Sequence, residues 1–189
     1  MTLRWFAVLC LLACAGCLSK PSVLEVRTFV PALPEVAPPD ARAPGLRVRL
    51  DRVQSAAHLD EAIVWQQSAT EWGRYDDRVW LEKPSHVLQR ELERELFERR
   101  GCVRVDGRFD VVVGAELSHF EEVLAPKHEA SVAVVVTWGG PDGTLRQSTK
   151  SARIAIEGDD PAAMAQAMGQ AIGQVTAEVA ALVTGTGDG

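Results

Sequence analysis

Apolar and polar residues follow different rhythms along this chain, and each rhythm predicts an element. Leu46-Arg47-Val48-Arg49-Leu50-Asp51-Arg52-Val53 alternates and predicts a strand with one wet face. Val23–Phe29, Ala62–Gln67 and Glu71–Trp80 read as further strands. Between the first two strands lie Pro31, Pro34, Pro38, Pro39 and Pro44, which predict an extended connector. From Pro84 the rhythm changes. Val87, Leu88, Leu92, Leu96 and Phe97 repeat at helical spacing, with Gln89, Arg90, Glu93, Arg94, Glu98 and Arg99 largely opposite, and Gly101 ends the helix. Val103–Val105, Phe109–Val123, Ala130–Trp138 and Leu145–Ile156 follow as strands, with turns at Asp106-Gly107 and Gly139–Gly143.

Asp159-Asp160-Pro161 opens a second helix that reaches about Val183, with acids at the favourable end of its dipole. Met164, Met168, Ile172, Val175, Val179 and Leu182 form its apolar side. Ala165, Gly169, Gly173, Ala177 and Ala181 form a stripe of small residues, which lets another backbone come close. Gln166, Gln170, Gln174 and Glu178 argue against a membrane span, so the stripe is expected to pack on the protein's own sheet. Strands, helix, strands, helix is an α+β order. The expected architecture is one mostly antiparallel twisted sheet with both helices on one face.

The N-terminal pattern is of another kind. Arg4 precedes an unbroken apolar run from Trp5 to Ala15, too short to span a bilayer, and Ala15-Gly16-Cys17 closes it. This is lipoprotein signal architecture. It predicts a signal peptide over residues 1–16, acyl chains such as palmitate on Cys17, a tether over 17–22, one domain over 23–183 and a disordered end over 184–189. Cys14 is a rival acceptor, but its flank carries the large Leu12 where a small residue is usual. Of four cysteines only Cys102 then remains in the folded part, which excludes an internal disulfide and suggests a buried thiol at a strand start.

Composition supports a real core, with 47% hydrophobic residues in 189. The formal charge of −6 becomes −7 when the signal leaves with Arg4. An acidic, evenly spread charge argues against nucleic acid as a partner and against a basic membrane-surface patch.

The segment Ala57-His58-Leu59-Asp60-Glu61-Ala62-Ile63-Val64-Trp65, continued by Tyr75, Arg78, Trp80, Pro84, Leu88, Leu92 and Leu96, resembles the ABC-type transport auxiliary lipoprotein family. Gly158-Asp159-Asp160-Pro161, before an Ala-rich last helix, is similar to that family as well. Val79 between Arg78 and Trp80, and Gln66 in place of a common basic residue, depart from its pattern. The family comprises small lipoproteins that accompany MCE-type (mammalian cell entry) lipid transport systems. The resemblance implies a non-enzymatic periplasmic module that docks the periplasmic component of an ABC or MCE-type transporter to the outer membrane, with a homo-oligomer as one possible form. Leu18 after the acylated cysteine, rather than Asp, favours the outer membrane. An alternative is a lipid-carrying module with its own apolar cavity.

Chemical motifs point the same way. No phosphate-binding GxxxxGK[ST] loop occurs. His58, His86, His119 and His128 lack paired ligand spacing, so no metal and no other cofactor is expected. His119 falls on the same strand face as Glu121, where a solvated edge is expected rather than a catalytic pair. Cys102 has no identifiable partner base, and no catalytic residue is assigned. Trp65, Trp72, Tyr75 and Trp80 make an aromatic-dense segment. Trp80, directly before the helix, is expected to fill the core. Trp72 and Tyr75 are the candidate partner-binding residues, because Trp and Tyr dominate interface hot spots.

Overall fold

The computed structural model describes residues 24–33, 35 and 43–185. The expected signal and tether, Cys17 included, lie outside them, as do residues 186–189. The elements are β1 (Arg27–Phe29), β2 (Arg47–Leu50), β3 (Gln54–Ser55), β4 (Ala62–Ser68), β5 (Glu71–Trp80), α1 (Pro84–Glu93), β6 (Val103–Arg104), β7 (Val111–Val123), β8 (Glu129–Gly139), β9 (Leu145–Ala155) and α2 (Pro161–Val183).

β7 is the spine of the sheet. One of its edges carries β8 antiparallel, from Val112 opposite Gly139 to Val123 opposite Glu129, and β9 pairs antiparallel beyond β8. The other edge receives three short strands in succession, all parallel: β2 beside Val111–Val113, β3 beside Glu116–Leu117 and β4 beside Glu121–Val123. β5 runs antiparallel to β4, β1 parallel to β5, and β6 parallel to β2.

The sheet is therefore mixed, which corrects the expectation of a mostly antiparallel one. The cause is α1. Antiparallel neighbours need only a tight turn, whereas parallel ones need a crossover. α1 supplies that crossover between the β2–β5 region and β7. Alternation along Leu46–Val53 says which face is wet but not which way the neighbour runs. The predicted single strand over 46–53 also breaks in two. After Leu50 the chain steps aside, and the Val53 N–H donates to Oε1 of Gln89 on α1 at 2.8 Å.

Both helices share one core with the face of β7 that carries Val113, Leu117 and Phe120. Leu88, Leu92 and Leu96 of the first helical stretch are fully buried, as are Met168, Val175 and Val179 of α2. Trp80 fills the core beside Phe120, with ring centroids 5.3 Å apart. Pro84 starts α1, and a π-helical turn over Arg94–Arg99 extends it. Gly101 ends it at φ +73°, a left-handed conformation that glycine adopts without a Cβ penalty. Glu91 and Glu95 on this helix are buried, where the apolar stripe gave no sign of them. Arg94 and Arg99 pair with Glu91, and Arg99 and Arg100 with Glu95, which neutralises both carboxylates where they leave water.

α2 begins on Asp160, whose Oδ1 accepts the Ala162 N–H at 3.0 Å. The small-residue stripe meets something other than the sheet alone. The Ala32 N–H donates to the Ala165 carbonyl at 3.0 Å, and a Cβ on Gly169 would collide with the Ala32 backbone. The chain after β1 thus crosses α2 as a strap that turns tightly at Ala32, where the Leu33 N–H donates to the Pro31 carbonyl, and Gly169 is the position that lets it lie so close.

Candidate functional site

The β4–β5 hairpin presents its aromatic residues on two faces of the sheet. The adjacent carboxylates Glu121 and Glu122 of β7 belong to those same two faces, since successive strand residues point to opposite sides.

On the face away from the helices, Val64, Trp72, His119 and Glu121 gather. Register places Val64 beside Glu121 on one side and Arg74 on the other. Trp72 is 38% exposed. His58 meets its ring edge-on at 5.9 Å between centroids, and the His119 ring lies at 6.2 Å and 39°. His58, Val64, Trp72, Gly73 and Arg74 line a pocket of about 340 Å³. Its rim is held by Arg74, which donates to Oδ2 of Asp60 at 2.9 Å and to the His58 carbonyl at 3.0 Å. Asp60 in turn accepts the Ala62 N–H at 2.9 Å, so the loop carrying His58 is pinned to the start of β4.

Beneath this rim Glu121 is only 1% exposed, and its Oε1 lies 2.9 Å from Nδ1 of His119. Burial pushes the Glu121 carboxyl above its ordinary range, and His119 opposes that shift. The expected solvated edge is thus a half-exposed imidazole over a buried carboxylate. Val123, Ser131 and Ala133 beside Glu121 are buried too, and Ser131 favours its carboxylate as His119 does.

On the other face, Glu122 lies 2.6 Å from Nε2 of His128. Tyr75 is half-buried here, and the Arg78 guanidinium sits 3.9 Å from its ring centroid. Burial first, and then the neighbouring Glu122 carboxylate, push the Tyr75 hydroxyl well above its ordinary value. Trp65 shares this side of the hairpin and covers Gly73, where any Cβ would strike its indole.

The two aromatic candidates therefore do not form one patch. Trp72 stands at an open pocket, and Tyr75 is tied into a stack of Arg78, Glu122 and His128. Sequence reasoning placed His119 on the Glu121 face but expected solvent there, and it missed the Glu122–His128 pair. The signal was present in Glu121-Glu122, since adjacency alone forces one of the two toward the core side. Burial also pushes the Cys102 thiol up, as expected of a core cysteine. Among the described residues no cluster of three or more metal-ligating side chains occurs, and no helix is long and apolar enough to cross a membrane.

Comparison with known proteins agrees with this fold. A DUF330-family protein from Xanthomonas campestris superposes with a TM-score of 0.73 at 19% identity, covering 84% of this chain and 96% of its own. A second solved protein, described as uncharacterized, gives 0.65 at 14% identity, with 84% and 99% covered. At these identities the likeness is one of fold. No curated protein matches the chain. The family model for the ABC-type transport auxiliary lipoprotein component matches residues 29–180, from β1 through most of α2, and the chain belongs to that family.

Proposed function

We propose that this protein is a non-enzymatic, lipid-anchored periplasmic accessory of an ABC/MCE-type lipid transport system. It docks the transporter's periplasmic component to the outer membrane, and the Trp72 pocket is its docking site. The observation that carries this reading is the half-open Trp72 indole between His58 and His119 on the helix-free face. An aromatic ring held at the mouth of a recess is the usual chemistry of an interface anchor.

The pocket's size supports docking over carrying. Its volume of about 340 Å³ is at the low end of the ~300–1,000 Å³ typical of small-molecule sites. It suits an inserted side chain better than a diacyl lipid. Two experiments test the reading. Trp72→Ala should lose capture of the transporter's periplasmic component by at least about 2 kcal/mol, the cost of truncating a hot-spot aromatic, while circular dichroism stays unchanged. A folded Trp72→Ala protein with full binding overturns the site. Fatty-acid labelling should mark the wild type and not Cys17→Ser. Label that persists in Cys17→Ser and vanishes in Cys14→Ser moves the anchor to Cys14.

A further inference from the structure

Large apolar side chains exposed to solvent are unevenly placed. Of seven among the described residues, four sit around β1: Leu24, Val26, Val30 and Leu81, each 48–67% exposed. Positions 24, 26, 28 and 30 share one side of an extended chain by alternation, while Phe29 turns to the other side and packs on the core. Leu81 joins them because its N–H donates to the Phe29 carbonyl at 2.9 Å, which sets it opposite Val30. The result is one apolar stripe along the outermost strand of the sheet. Clusters of exposed apolar residues mark contact surfaces, whereas scattered ones do not.

The covalent chain says what covers it. Leu24 follows the expected acylation site, Cys17, by seven residues, which reach at most about 25 Å when fully extended. A bilayer that holds the acyl chains is therefore within reach of the stripe. Of the acidic residues flanking it, exposed Glu25 falls on the opposite side of the chain by alternation, and Glu82 is clamped by Arg90 in a two-pronged pair at 2.6 and 2.9 Å, so it does not oppose an anionic headgroup layer as a free charge.

We propose that the Leu24–Val26–Val30–Leu81 stripe rests on the lipid surface and sets the orientation of the domain. This rests on acylation at Cys17 and deepens the docking reading. With β1 against the bilayer, the opposite edge of the sheet, β9, lies farthest from it.

The test uses the full acylated protein in vesicles of phosphatidylethanolamine and phosphatidylglycerol. An environment-sensitive fluorophore is placed at Leu81→Cys, or at Asp142→Cys in the β8–β9 turn as the distant control. Cys102 is buried and leaves the engineered thiol as the reactive one. Brominated acyl chains should quench the Leu81 label several-fold more than the Asp142 label. Val26→Asp introduced beside the Leu81 label should reduce that quenching. Equal, weak quenching at both sites in vesicles that retain the protein overturns the inference and leaves the anchor standing. Protein that fails to float with the vesicles overturns the anchor and the inference together. Protection of Leu81 that appears only with added transporter component, or only as protein concentration rises, assigns the stripe to that partner or to a second copy.

Discussion

Glu121 and Glu122 are neighbours in sequence and opposites in surroundings. Each is a buried carboxylate with one imidazole partner, His119 for the first and His128 for the second. On the Glu122 side the aromatic residues are immobilised. Trp65 covers Gly73, and Tyr75 is stacked under Arg78. On the Glu121 side the aromatic residue is offered to solvent, with Trp72 at a pocket mouth. The same strands thus build a closed face and an open face, and the difference lies in what covers each. Helices pack on the first where it continues across β7, β8 and β9. Trp72 meets His58 and His119 at its ring and stays 38% exposed.

The largest effects should come from the covered face. Leu92→Ala, at a fully buried position on α1, should lower stability by about 2–5 kcal/mol, read from the denaturant midpoint. Trp72→Ala removes a larger side chain, yet it should cost less than Leu92→Ala in the same assay, because the indole is already partly in water. Equal losses would mean that Trp72 belongs to the core and that the two faces do not divide the labour as argued.

Gly169→Val comes next and probes the strap rather than either face. The added atoms would meet the Ala32 backbone, so the strap must lift or α2 must shift. Overpacking of this kind costs about 1–3 kcal/mol. The helix itself should persist by circular dichroism, while amide exchange at Ala32 should speed up as its bond to Ala165 is lost. Unchanged exchange at Ala32 would show that the close approach is not what holds the strap.

Much of the covered face was legible from sequence, and little of the open one. The α1 stripe of Leu88, Leu92 and Leu96, the Pro161 helix start and the β7–β8–β9 meander follow from local periodicity and turn chemistry. Parallel pairing does not, because β2, β3 and β4 find partners on β7 about sixty residues away, past a helix, and no local rhythm encodes that. Trp72 and Tyr75 were both visible as aromatic residues. Their spacing of three within one strand already sets them on opposite faces, so the division was legible, whereas which of the two faces the helices take was not. The buried acids Glu91, Glu95, Glu121 and Glu122 all have partners near them in sequence: Arg94, Arg99, Arg100, His119 and His128. The partners were therefore in view, but burial was not, because it depends on what the rest of the fold packs over each pair.

The smallest effect separates the two carboxylates most finely. Burial raises the affinity of Glu121 for a proton in the folded protein above that in the unfolded chain. Between the unfolded and the folded pKa the native state therefore binds more protons, and stability falls as pH rises through that interval. Glu121→Gln keeps the shape and removes the ionisation. Its denaturant midpoint should decline less from acid to neutral pH than that of the wild type. At neutral pH the variant should be the more stable protein, by an amount that vanishes in acid, where the wild-type carboxyl is protonated anyway. His119 acts in the opposite direction, since it favours the carboxylate. A Gln variant that is less stable than the wild type at neutral pH would show that the His119 pair outweighs the cost of burial. Glu121 would then be a strut for the pocket rim rather than a strained group beneath it, and the open face would be held together in the same way as the covered one.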